Sequence, residues 1–106
     1  TDNFVTNVKL ALANGLIVSV GVNLTESFQA GSALNYGVWA PTSTEKSIGG
    51  HAMCVIGYDD SKYGGAFEVM NSWGTGYGEN GFVWIKYNDF KKYVQEAYII
   101  QTTDFQ

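Results

Sequence analysis

Residues 49 to 86 constrain the fold of this chain more than any other stretch, because they hold two β-prone segments, a polar turn and a glycine-rich loop. The segments 51–58 and 66–73 are apolar or small, which predicts two strands. The polar residues 59–65 end in two glycines and predict a hairpin loop between them. Opposed positions in an antiparallel hairpin have a constant sum, which a turn near residue 61 or 62 sets at about 122 to 124. His51 is therefore expected opposite residues 71–73.

This hairpin brings the only histidine of the chain close to the carboxamide of Asn71. An amide oxygen that accepts the proton of one ring nitrogen fixes the tautomer and leaves the other nitrogen free for acid-base chemistry. A neutral amide does this without neutralising an imidazolium, which suits a histidine that is charged beside a thiolate. A single strand histidine is more often a packed side chain than a catalyst, so this interpretation depends on the residues around Asn71.

Those residues carry a resemblance to a known family. Residues 71–82 read NSWGTGYGENGF and resemble the active-site asparagine motif of the papain-like cysteine proteases, while residues 50–58 resemble the histidine strand of that family. Four upstream segments follow the family's order: residues 11–15, 18–20, 27–29 and 37–39. The resemblance spans nearly all of residues 1–106, but it covers only the C-terminal half of the family's domain. It implies an α+β fold in which this chain forms an antiparallel sheet or partly closed barrel with a flanking helix.

The resemblance also implies roles for individual residues. His51 and Asn71 match the catalytic histidine and asparagine, and Trp73 matches the residue that shields their hydrogen bond from water. Matches to positions that contact substrate are Gly21, Gly50, Ala52 and Ile100. In the substrate pocket that the resemblance implies, Ile100 would form an apolar floor and Gly21 a small wall. Such a pocket would suit a bulky apolar substrate side chain.

The nucleophile is expected to come from outside this chain, because nothing here resembles the family's glutamine and Cys-Trp motifs. Cys54 follows His51 by three residues, and on a strand such residues point to opposite faces about 10 Å apart. Cys54 is therefore predicted to be a small buried core residue. The expected partner is the N-terminal half of the peptidase domain, as a separate chain or a missing segment, which carries the cysteine and the oxyanion glutamine.

Three functions are compatible with these features. The first is a cysteine-type endopeptidase acting on peptide or protein substrates, to which this chain supplies His51 and Asn71. The second is a non-catalytic peptide-binding or scaffold module with the same fold, and the third is a thiol-dependent acyl transferase or amidase. No metal or organic cofactor is expected, because the chain has one histidine and one cysteine and its acidic residues are scattered.

Composition excludes other classes of function. Six basic and ten acidic side chains give a net charge of −4, which disfavours nucleic acid as a partner. The longest apolar run is too short to cross a membrane. A single cysteine cannot form an internal disulfide, and Glu45 and Gln95 stand where many secreted eukaryotic relatives have a bridge. The resemblance therefore favours a microbial protein that is secreted or extracellular.

The spacing of apolar residues and the positions of capping residues and glycines predict the remaining elements. A helix is expected over residues 3–13, a buried strand over 16–23 and a helical turn over 25–29. In the polar stretch 32–48 only residues 37–39 are expected to form a strand. The order after the hairpin is a strand at 82–87, a turn or short helix at 88–93 and a last strand at 96–102.

Overall fold

A computed structural model describes residues 2–100 of the chain. Its helices are α1 (Asp2–Ala13), α2 (Gly31–Tyr36) and α3 (Tyr87–Tyr93). Its strands are β1 (Ile17–Thr25), β2 (Val38–Trp39), β3 (Ser47–Asp59), β4 (Ala66–Met70), β5 (Phe82–Lys86) and β6 (Val94–Ile100). Two short 3₁₀ segments lie at Glu26–Gln29 and Lys62–Gly64. The α+β class expected from the sequence is confirmed.

The sequence did not predict the 3₁₀ segment Lys62–Gly64, and it placed the start of β3 four residues too late and the end of β4 three residues too late. Among the helices it missed only α2. That helix is short, and Ala30 before it provides no side-chain cap, so its start carries no sequence signal. It ends at Gly37, whose φ of 72° is the left-handed conformation that favours glycine at a helix end. The last strand was predicted to reach residue 102, but residues 101 and 102 lie outside the described part of the chain.

The six strands form one sheet in the order β2-β5-β4-β3-β1-β6. Only β2 and β5 run parallel, and the other neighbours are antiparallel. In the central hairpin Cys54 pairs with Met70 and Val55 with Val69, and both pairs have positions that sum to 124. The predicted register is therefore confirmed up to a bulge at residue 56. Strand β4 ends at Met70, so Asn71 lies just beyond it.

The hydrophobic core lies between one face of this sheet and the helices α1 and α3. Alternation along β1 turns Val18, Val20 and Val22 into the core, and each is about 1% exposed. Helix α1 covers them with Val5, Val8 and Ala11. The radius of gyration of 13.1 Å is that of a folded domain of this length. The chain therefore has a core of its own.

The opposite face of the sheet is open, and Cys54 lies on it. Met53 and Val55 on either side are buried, whereas Cys54 is only half-buried and pairs with Ser19 and Met70. Side chains alternate between the two faces along β3, so Cys54 and His51 lie on opposite faces, as predicted. The prediction that Cys54 is a core residue is wrong, because odd-numbered residues of β3 face the helices.

None of the helices within residues 2–100 combines the length and the apolar character needed to span a bilayer.

Candidate active site

His51 and Asn71 meet at the end of the central hairpin. The ring nitrogen Nε2 of His51 lies 3.1 Å from the side-chain oxygen Oδ1 of Asn71. His51 is half-buried, and Asn71 is 7% exposed although it is a polar residue. His51 lies on β3, and Asn71 lies in the loop that follows β4.

The amide of Asn71 is held with its oxygen toward the ring. The backbone N–H of Ser72 donates to the same Oδ1 at 2.8 Å, which only an oxygen can accept. Within the described residues the amide nitrogen of Asn71 is buried and makes no hydrogen bond. Because Oδ1 can only accept, Nε2 of His51 carries the proton in this contact. The nitrogen Nδ1 is then left for a second partner.

Trp73 packs against His51 and joins it to a group of aromatic rings. The ring centroids of His51 and Trp73 are 5.3 Å apart. Behind Trp73, Phe28 and Tyr77 lie 5.5 and 5.2 Å away, and Phe28 also contacts Trp39 at 5.3 Å. Trp73 itself remains 42% exposed. The sequence assigned a role to Trp73 but none to Phe28, which is far from it along the chain, or to Tyr77.

The glycine-rich loop 74–81 is tied down at several points. The hydroxyl of buried Tyr77 donates to the carbonyl oxygen of Phe28 at 2.6 Å, and burial raises the pKa of this phenol. The backbone N–H of Gly78 donates to the carbonyl of Leu34 at 2.9 Å. Gly78 has a φ of 58°, and a Cβ there would collide with the carbonyl of Phe82. Glycine is therefore required at this position so that the loop can pack closely beside Asn71.

The carboxylate of Glu45 holds the loop around Thr42 against the segment that contains Ser27. One oxygen of its carboxylate accepts from the backbone N–H of Ser27 at 2.8 Å, and the other accepts from the N–H of Thr42 at 2.7 Å. Ser27 in turn accepts a hydrogen bond from the indole of Trp39 at 2.9 Å. Partial burial acts to raise the pKa of Glu45, but the hydrogen bonds from Ser27, Thr25 and Thr42 outweigh it and lower the pKa to about 2. The carboxylate of Glu45 thus joins the backbone at Ser27 to the backbone at Thr42.

Glu45→Gln is expected to destabilise the fold above pH 4.5 and to have no effect near pH 2. The folded-state pKa of about 2 lies below the ordinary value of 4.5, so the charged form is stabilised by folding and its contribution is lost as pH falls through that interval. Solvent screening limits the loss to about 1 kcal/mol. Urea unfolding at several pH values measures the difference. The control is Glu79→Gln, at an exposed carboxylate without a hydrogen bond in residues 2–100, and an equal effect of both variants would contradict this role of Glu45.

The residues matched to substrate contacts are only partly brought together. Gly21 of β1 lies directly opposite Ala52 of β3, and Gly50 is exposed next to His51. Ile100 pairs with Ile17 at the far end of β1, so it is not beside Gly21. The residue opposite Gly21 on β6 is Glu96, whose Cγ lies 3.0 Å from where a Cβ of Gly21 would be. The structure therefore does not combine Gly21 with an apolar floor at Ile100.

Residues 2–100 contain no group of three or more His, Cys, Asp or Glu side chains placed to hold a metal ion.

Comparisons with known proteins show the family of the chain. The family model described as papain family cysteine protease matches residues 1–102. The uncharacterized peptidase C1-like protein L477 of Acanthamoeba polyphaga mimivirus is 34% identical over 96 residues, covering 90% of this chain and 29% of that protein. Xylellain, a cysteine protease from Xylella fastidiosa, superposes with a TM-score of 0.79 at 29% identity, covering 92% of this chain and 37% of xylellain.

The bromelain protease from Ananas comosus, in a complex with the E64 inhibitor, superposes with a TM-score of 0.56. Its identity of 23% supports the fold alone, over 76% of this chain and 35% of bromelain. The fold and the family match together define the class of papain-like cysteine proteases. The chain belongs to the papain family of cysteine proteases. It spans well under half of the length of the relatives it matches.

Proposed function

We propose that this chain supplies the histidine and asparagine of a cysteine-type endopeptidase. The observation that carries the proposal is the 3.1 Å contact between His51 Nε2 and Asn71 Oδ1. It orients the imidazole and leaves Nδ1 available to a thiol. The nucleophilic cysteine and an oxyanion-stabilising glutamine would come from the N-terminal half of the domain. Family membership supports this proposal.

In the proposed reaction Nδ1 of His51 takes the proton of the partner's thiol, which gives a thiolate and imidazolium pair. The thiolate sulfur forms a bond to the peptide carbonyl carbon, and the C–N bond then breaks as the imidazolium delivers its proton to the leaving amine. Water attacks the resulting thioester, gives a proton to His51 and releases the acid and the thiolate. Asn71 holds the ring in place throughout, and its neutral amide leaves the imidazolium charge to lower the thiol pKa.

Cys54 is unsuited to the role of nucleophile. It is three residues from His51 on an extended strand and lies on the face of the sheet opposite to the ring. It is the only cysteine of the chain. The proposed reaction therefore needs a thiol from a second part of the enzyme.

The end of the sheet that carries His51 suits contact with that second part. Trp73, which packs against His51, is 42% exposed, and Met70 at the end of β4 is 46% exposed. Apolar side chains grouped in this way mark a surface that another structure covers. We propose that the half that carries the thiol packs here, so that its cysteine reaches Nδ1 of His51.

Intact mass spectrometry after treatment with an epoxide reagent that alkylates active-site thiolates tests the proposal. The 11.6 kDa chain alone is expected to gain no adduct. Together with the half that carries the thiol, one adduct is expected on that half, along with cleavage of peptide substrates. An adduct on Cys54 would overturn the proposal.

The same experiment separates the two other functions. A second half with no cysteine at the nucleophile position would favour a binding or scaffold module. An adduct without peptide cleavage, together with turnover of amide-bearing small molecules, would favour a transferase or amidase.

A further inference from the structure

A cavity of about 440 Å³ lies at the end of the sheet away from His51 and Asn71. It is bounded by residues 63–65 of the hairpin loop, residues 40–41 after β2 and residues 86–89 at the start of α3. Asn71 follows the last residue of β4 and Gly65 precedes the first, so the length of that strand, about 17 Å, separates the two places. The volume falls in the range of small-molecule binding sites.

The walls of this cavity are fixed by the fold. A Cβ on Gly65 would lie 2.7 Å from the ring of Tyr87, so ring and backbone are in close contact. The hydroxyl of Tyr87 donates to Asp60 at 2.6 Å, which holds the ring from its other end. Tyr63 has a φ of 54°, a left-handed conformation that non-glycine residues rarely adopt and that is often found at ligand clamps. The cavity is therefore preformed.

Two charged side chains in the lining, Lys86 and Asp89, act on each other through their charges but make no direct hydrogen bond or salt bridge within residues 2–100. Burial raises the pKa of Asp89, whereas the positive charges of Lys86 and Lys92 act in the opposite direction. Asp89 lies in the first turn of α3, and these two lysines compensate part of the cost of burying its carboxylate. A ligand cation would offset the rest.

We propose that this cavity binds a short zwitterionic peptide of about two or three residues, sized to its volume. The carboxylate of the peptide would meet Lys86, its ammonium group would meet Asp89, and an apolar side chain would pack between Tyr63 and Pro41. A ligand with a single charge would satisfy only one of the two groups and leave the other uncompensated. The proposal does not depend on the chain being part of a peptidase.

Titration of the ¹⁵N-labelled chain of 106 residues with alanyl-tyrosine, followed by NMR, tests the proposal. Shifts are expected at the amides of residues 63–65 and 86–89. The N-acetylated and the C-amidated forms of the dipeptide should each bind about tenfold more weakly, because each loses one ionic contact of about 1.4 kcal/mol. Equal binding of the capped and free dipeptides would overturn the proposal, as would shifts centred on His51.

Variants test the two charged residues separately. Lys86→Met and Asp89→Asn should each weaken binding of alanyl-tyrosine about tenfold, and each should remove the penalty of capping only the end that it contacts. Lys46→Met is the matched control for the first variant, since Lys46 lies outside the cavity. The NMR spectrum of each variant reports whether it is folded. Unchanged affinity in both folded variants would overturn the proposal.

Discussion

Replacing His51 with alanine is expected to lower kcat/KM for peptide hydrolysis by at least about 10³-fold in the assembled enzyme. The imidazole has two tasks in the proposed reaction, since it takes the proton of the thiol and later delivers it to the leaving amine. No other histidine is present in the chain to replace it. The variant should also raise the pKa of the partner's thiol, because the imidazolium that stabilises the thiolate is lost.

Two measurements check this expectation. Steady-state kinetics on a peptide substrate give kcat/KM, and the rate of thiol alkylation as a function of pH gives the thiol pKa. A merely structural role of His51 would lower the yield of folded enzyme without moving the alkylation profile. Cys54→Ser is the control, and it should leave both measurements unchanged. Loss of activity in Cys54→Ser with retention in His51→Ala would contradict the proposed division of roles.

Much of this site could be predicted from sequence because it depends on a hairpin. Register in an antiparallel pair follows from the position of the turn, so the expectation that His51 lies opposite residues 71–73 needed only the two glycines at 64–65 and the strands on either side. The bulge at residue 56 changes the register only on the side of the turn. On the side away from the turn the pairing therefore keeps the predicted sum up to Cys54 and Met70, close to His51 and Asn71.

Residues that act across long sequence separations could not be predicted in this way. The carboxylate of Glu45 reaches the backbone of Ser27 across 18 residues, and Tyr77 reaches Phe28 across 49. Neither contact leaves a local pattern in the sequence. Placing Ile100 near Gly21 failed for a related reason, because the partner of Gly21 on β6 depends on where that strand begins and on a shift in its register.

Phe28→Ala is expected to destabilise the fold by about 3–5 kcal/mol. Phe28 is fully buried and contacts the rings of Trp39, Trp73 and Tyr77, with centroids 5.3 to 5.5 Å away. Truncation would remove these aromatic pairs and leave a cavity that the sheet on one side prevents from closing. Urea unfolding of the chain measures the loss.

The comparison with Phe4→Ala separates this aromatic group from ordinary burial. Phe4 is partly buried and stacks on Phe90, with centroids 5.4 Å apart, on the side of the sheet covered by α1. Its truncation should cost about half as much, because less apolar surface leaves the core.

Phe28→Leu, which keeps most of the volume, should cost about 1.5 kcal/mol and remain folded. In that variant Trp73 loses the ring of Phe28 but keeps that of Tyr77, and the fold persists. A lower kcat with unchanged stability of the His51 region would then show that Phe28 helps to position the site. If Phe28→Ala costs no more than Phe4→Ala, the aromatic group does not hold the active-site end of the sheet together.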